Sequence, residues 1–197
     1  MKTDSQLIRE IKDGNVECYS ELIDRYERKI YSFISHMLRN YKMEALAEDL
    51  CQETFYKAFR SLKTFRDVEA SFSTWLYTIA RNCVLTELRK CRNKEVYLED
   101  SYATPKVAVE KLPEQQILQN EREQLVRKAI NNLPEKQRSA LILREYEQMD
   151  YKDIANLLDS TVSSVKSLLF RARSSVRSQL ESYIQEPLLE KVEGMNK

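Results

Sequence analysis

Between Asp150 and Leu180 the chain concentrates side chains suited to gripping another polymer: Ser163, Ser164, Lys166, Ser167, Phe170, Arg171, Arg173 and Arg177. At about 100° per residue, Ser163, Ser167, Phe170 and Ser174 fall together on one helix face, flanked by Lys166 and Arg171. No acidic residue interrupts the run from Ser160 to Leu180. A duplex groove accepts this mixture. Cations meet phosphates, hydroxyls and Lys reach base edges, and a phenyl ring covers a thymine methyl. The bland alternative is a solvated basic helix end with Phe170 packed on a neighbour.

The elements that hold these residues follow from local signals. Asp150 is placed to cap a short helix from Tyr151 to Leu158, with Asp153 in its first turn. Ile154, Ala155, Leu157 and Leu158 give that helix a buried side. Asp159-Ser160 breaks the pattern and Thr161 starts a second helix. There Val165, Leu168, Leu169, Ala172 and Val176 recur as an apolar stripe opposite the basic face. Two helices joined by a short turn, the second built for a groove, predict a helix-turn-helix reader.

A second chemical set is acidic. Glu44 to Arg60 reads as a helix whose buried side is Ala47, Cys51, Phe55, Ala58 and, just beyond, Leu62. Glu48, Asp49, Gln52 and Glu53 gather in its first half, where the helix dipole favours negative charge. This is either a solvated face or a docking surface for a basic partner. A third set is cationic. The helix from Phe72 to about Arg92 buries Trp75, Leu76, Ile79, Ala80, Cys83, Val84 and Leu88, and brings Arg81, Arg89 and Arg92 into one quadrant. The irregular segment before it, Ser61 to Ser71, carries Phe65 as an exposed aromatic. A cationic strip beside an aromatic loop suits an unpaired strand.

Bulk composition agrees with helices throughout. Two glycines and four prolines in 197 residues are too few for the turns of a β-rich fold, and 32% of residues are charged. The expected fold is all-α: two small helical domains, 1–92 and 120–184, joined by a flexible acidic linker, 93–119, and followed by a tail, 185–197, broken at Pro187. Near the start, Thr3 or Asp4 caps a short helix that Gly14 ends, and Asn15 caps a longer one reaching about Leu38. A net charge of +1 requires local segregation of sign rather than a uniformly basic coat. Cys18, Cys51, Cys83 and Cys91 show no metal-ligand spacing, and His36 is the sole imidazole. No metal and no cofactor is expected. Neither a signal peptide nor a membrane span is visible, and scattered thiols suit the cytoplasm.

The motifs AEDLCQETFYKAF, FSTWLYTIARN, LPEKQRSALILREYEQMDYKDIANLL and SSVKSLLFRAR occur in this order. Together they resemble the extracytoplasmic-function (ECF) group of bacterial sigma-70 factors, from about Gly14 to Leu180. The resemblance implies that Asp49, Gln52 and Glu53 dock on the clamp helices of the largest subunit of core RNA polymerase. It implies that Phe65, Arg66, Arg81, Asn82 and Arg89 hold the melted −10 strand. It assigns −35 promoter DNA to Ser163, Ser164, Lys166, Ser167, Phe170, Arg171 and Arg173. It also implies a membrane-bound anti-sigma factor as partner, with no direct membrane insertion of this chain, and the family's short form without added domains. The chain departs from the family pattern at Asp159, where Gly is frequent, at Leu168, where a basic residue is common, and at Ser163-Ser164, which replaces Gly-Thr.

Two other functions compete. A stand-alone helix-turn-helix repressor would need neither the acidic helix nor FSTWLYTIARN. A nuclease or recombinase needs clustered carboxylates for metal or a nucleophile beside a base. Asp49 and Glu53 share a face at i, i+4, but the one histidine offers them no base.

Overall fold

The computed structural model describes residues 2–41, 43–66, 70–95 and 124–193, and no strand occurs among them. Helix α1 spans Asp4–Lys12 and begins with a reciprocal cap. The Gln6 amide donates to the Thr3 hydroxyl (3.3 Å), and the Thr3 amide donates to the Gln6 side chain (2.9 Å). Gly14 ends the turn at φ +110, a backbone state that L side chains resist. The expected start of the next helix at Val16 is a 3-10 turn, Val16–Cys18, because Asn15 makes no side-chain cap. Helix α2 then runs Tyr19–Leu38, α3 runs Ala47–Ser61 and α4 runs Phe72–Glu95.

These helices form one bundle, with α2, α3 and α4 in mutual contact and α1 laid across α2. Leu22, Ile30, Phe33, Ile34, Met37 and Leu38 of α2 are fully buried, as is Leu76 of α4. Each such side chain contributes about 1.5–3 kcal/mol by leaving water. Arg25 ties α2 to the start of α1 through Asp4 (2.7 Å), and Tyr26 donates its hydroxyl to the same carboxylate.

The second unit holds α5 (124–131), α6 (Glu135–Glu145), α7 (Tyr151–Leu157) and α8 (Val162–Glu193). Pro134 precedes α6, where its missing N–H costs nothing. Helices α6 and α7 pack along α8. The expected break at Pro187 does not occur: α8 continues to Glu193, into the segment read as a tail. Proline removes only one intrahelical bond, and Leu188, Leu189, Glu190 and Lys191 beyond it are good helix formers. Residues 93–95 extend α4, and the rest of the 93–119 linker lies outside the described residues.

The two units touch. Helix α4 packs on α7 and α2 packs on α6, so one apolar cluster runs from Leu7 to Ala172.

Candidate nucleic-acid interface

The helix-turn-helix is built by the capping residues the sequence offers. The Asp153 amide donates to the Asp150 carboxylate (2.8 Å) at the start of α7. The Ser164 amide donates to the Thr161 hydroxyl (3.1 Å) at the start of α8. Between them Asp159 itself adopts φ +48, so the left-handed turn forms without glycine. Asp tolerates that region better than any branched residue. The Ser160 amide then closes onto the Ala155 carbonyl (2.9 Å). Val165, Leu169 and Ala172 are buried against α6 and α7, with Leu168 and Val176 partly covered.

The opposite face of α8 is open. Ser163, Ser164, Lys166, Ser167, Phe170 and Arg171 are all exposed, and Phe170 is 74% accessible. A packed Phe170 is therefore excluded. Lys166 and Arg171 have no ion-pair partner among the described residues. The Ser167 hydroxyl donates to the Ser163 carbonyl (3.1 Å), which orients it along the helix. Beside this face Tyr151, Lys166, Phe170, Arg173, Ser174 and Arg177 line a recess of about 540 Å³. Arg173 differs from its neighbours, since its guanidinium donates to the Glu145 carboxylate at 2.6 and 3.2 Å.

The residues expected to hold an unpaired strand are only partly brought together. Phe65 is buried, at 5% accessibility, with its ring 4.8 Å from that of Trp75 and 5.9 Å from that of Phe72. Lys12 lies over the same ring (5.9 Å) and donates to the Phe65 carbonyl (2.6 Å). The expectation of an exposed stacking aromatic is corrected. An irregular backbone does not keep a phenyl ring in water when two aromatic neighbours can cover it. Arg66, Asn82 and Arg89 are exposed. Arg81 is not free: its Nε and Nη2 both donate to one oxygen of Glu135 on α6 (3.0 and 2.7 Å), and its side chain is 13% accessible. The Ser139 hydroxyl holds the same carboxylate oxygen at 2.8 Å. Charge-assisted hydrogen bonds of this kind contribute about 1.5–3 kcal/mol. The cationic strip is thus divided, with Arg81 engaged and Arg89 available. The Arg92 side chain lies outside the described residues.

On α3, Asp49, Gln52 and Glu53 all face solvent. Glu53 pairs with Lys57 one turn on (2.6 Å), an exposed contact of small net worth. Next to Gln52 a groove of about 830 Å³ opens between α2 and α3, lined by Val16, Tyr31, Glu48, Tyr56 and Phe59. Tyr56 is 60% accessible. Reading α3 for its buried side alone overlooked these aromatics, although Tyr56 and Phe59 follow Gln52 at i+4 and i+7 on the same face. An exposed apolar patch of this kind is suited to contact with another molecule. Underneath it the Tyr19 hydroxyl donates to the Phe55 carbonyl (2.7 Å), and burial pushes its ionisation well above the ordinary range.

Among the described residues no group of three or more His, Cys, Asp or Glu could hold a metal ion, and no helix is long and apolar enough to cross a membrane.

A helical bundle that presents one acid-rich helix, followed by a helix-turn-helix, defines a class, and comparison with known proteins agrees. Residues 22–94 match the family Sigma-70 region 2, and residues 123–176 match Sigma-70, region 4. Within that class the chain belongs to the ECF group of sigma-70 factors. It is 34% identical to the ECF RNA polymerase sigma-E factor of Haemophilus influenzae, over 91% of this chain and 96% of that one. It is 34% identical to the RNA polymerase sigma-H factor of Pseudomonas aeruginosa, over 93% and 96%. The ECF sigma factor SigW of Bacillus subtilis shares 31% over 88% and 94%. Two solved structures share the fold. CnrH in complex with the cytosolic domain of CnrY superposes with TM-score 0.66 at 19% identity, covering 92% of this chain and 99% of that one. The sigma factor RpoE in complex with the anti-sigma factor NepR from Bartonella quintana gives 0.61 at 26% identity, covering 83% and 96%. Factors of this family start transcription and are not enzymes.

Proposed function

We propose that this sigma factor joins core RNA polymerase to promoters by dividing the work between its halves. The exposed face of α8 grips −35 duplex. Lys166 and Arg171 meet phosphates, Ser163, Ser164 and Ser167 reach base edges, and Phe170 offers its ring to thymine methyls. The accessibility of Lys166, Phe170 and Arg171, with no ion-pair partner for either cation among the described residues, carries this reading. Each good bidentate base contact is worth about 1–3 kcal/mol of discrimination. Asn82, Arg66 and Arg89 take the melted −10 strand, with Arg81 joining them once released from Glu135. Phe65 serves as the buried floor under that path rather than as a stacking platform.

Unstacking one base costs a few kcal/mol, roughly what one pocket returns. Neither half therefore melts DNA alone, and polymerase supplies the remainder. Asp49, Gln52 and Glu53, with the aromatic groove beside them, are the docking surface for the clamp helices of its largest subunit. Sites one and a half to two turns apart lie about 50–70 Å from one another. About 25 linker residues reach at most about 80–90 Å, enough to serve both. The factor acts in the cytoplasm, where polymerase is. An anti-sigma factor, membrane-bound in keeping with the group, restrains it. The relatives solved with CnrY and NepR support such a partner.

Footprinting with permanganate on promoter DNA tests the division. Protected duplex upstream, with reactive thymines about two turns downstream only when polymerase is present, is the expected pattern. Reactive thymines with the factor alone would contradict it.

A further inference from the structure

We infer that Lys12 is a positioning residue for strand capture: by holding the Phe65 carbonyl it fixes the peptide from which Arg66 reaches the melted −10 strand. This rests on the reading of Arg66 as a strand contact. Lys12 is the last residue of α1, and its ammonium donates to the Phe65 carbonyl (2.6 Å), 53 positions further along the chain. The same cation lies 5.9 Å from the centre of the Phe65 ring. Lys12 has no ion-pair partner among the described residues, so its charge is directed at that carbonyl and that ring.

The local chain leaves this carbonyl for Lys12 to take. The Phe65 amide closes the 3-10 turn Leu62–Thr64 by donating to the Leu62 carbonyl (3.2 Å), and the backbone then runs extended (φ −61, ψ 136). Among the described residues no backbone amide outside the helices donates to the Phe65 carbonyl. The buried ring, packed on Phe72 and Trp75, fixes the Phe65 Cα but leaves rotation about ψ open. That rotation would swing the whole next peptide. Because a peptide is planar, an anchored carbonyl also sets the direction of the following amide and Cα. The residue so aimed is Arg66, which is exposed.

Helix α1 gives the contact a firm base. Its Leu7, Ile8 and Ile11 are buried. Its other end is tied to α2 by Asp4, which accepts from Arg25 (2.7 Å) and from the Tyr26 hydroxyl. The Tyr26 ring meets Phe72 edge-on (5.6 Å), and Phe72 packs on Phe65 and Trp75 (5.9 and 5.8 Å). Both ends of α1 therefore bear on the aromatic cluster that Phe65 joins.

Open-complex formation by the holoenzyme, on a promoter with a fluorescent base in its −10 element, tests the brace. The affinity of the same holoenzyme for upstream duplex is read beside it. Lys12→Met keeps an apolar stem over the ring and removes the donor. It should lower open-complex formation about tenfold, the scale of one hydrogen bond to a charged group. Duplex affinity and the salt dependence of opening should not move, and Lys12→Arg should recover most of the loss. Arg66→Ala should lower opening too, and Lys12→Met should add nothing in that background, because a brace acts only through what it holds. Unchanged opening by Lys12→Met would overturn the inference. So would an equal fall in duplex affinity, which marks a general loss of fold, or additive losses in the double variant. A salt slope of opening shallower by about one would overturn it as well, by making Lys12 itself a phosphate contact. If Arg66→Ala alone leaves opening unchanged, the strand assignment beneath the inference fails, and that result is read without any Lys12 variant.

Discussion

Arg173 and Glu145 are bound to each other across the base of the helix-turn-helix, with Nη2 2.6 Å from the carboxylate, while Arg171 two residues earlier has no ion-pair partner among the described residues. On the proposed function, the two arginines therefore approach DNA from different starting points. Glu145→Gln should free Arg173 and tighten promoter duplex, with the salt slope steepening by about one. Because both partners are about half exposed, fold stability should change by less than about 1 kcal/mol. A titration over ionic strength that shows no change in slope would count against Arg173 as a phosphate contact.

Arg171→Ala should weaken −35 binding uniformly across sequences and flatten the same slope by about one. Unchanged promoter affinity in a gel-shift series would remove Arg171 from the groove.

Asp49→Lys combined with Glu53→Lys should abolish co-elution with core polymerase and leave the thermal melt nearly unchanged. Both side chains are exposed, and the sole ion pair lost among the described residues is the surface contact from Glu53 to Lys57. A double variant that still co-elutes would reduce this helix to a solvated face.

The acid-rich helix and the helix-turn-helix were legible in the chain because their signals are local. Asp150 and Thr161 cap, and Val165, Leu169 and Ala172 repeat with the helical period, so the exposed face of α8 follows by exclusion. Phe65 and Arg81 were not legible in the same way. Their environments depend on contacts that spacing cannot encode. Arg81 meets Glu135 across 54 positions, Tyr77 meets Glu147 across 70, and Arg138 meets Tyr41 across 97. An arginine on a helical strip looks free until the carboxylate opposite it is placed. Pro187 shows the converse: a strong local breaker overridden by the helix around it.

Asn82→Ala should reduce open-complex formation by about 1–2 kcal/mol while sparing duplex binding, because its exposed amide can meet a base edge only after melting. Rapid-mixing fluorescence on a promoter with a reporter base separates the steps. Equal loss in both would refute the assignment.

Alkaline pH should destabilise the fold. Burial holds the hydroxyls of Tyr19 and Tyr77 protonated well above their usual range, with Glu147 adding to the effect at Tyr77. The unfolded chain ionises them near pH 10, so above about pH 10 it binds fewer protons than the native state and stability falls. The slope is about 1.4 kcal/mol per pH unit for each such tyrosine. Urea midpoints should be flat below about pH 9 and drop beyond about pH 10, with Tyr77→Phe showing the shallower fall. A drop identical in the variant would show that Tyr77 is not among the groups responsible.

Run-off transcription with core polymerase on DNA from the source genome bears most directly on the account. The purified chain should start RNA at a limited set of promoters, and the Asp49→Lys, Glu53→Lys variant should start none. No initiation by the wild type at any site would contradict the account at its centre.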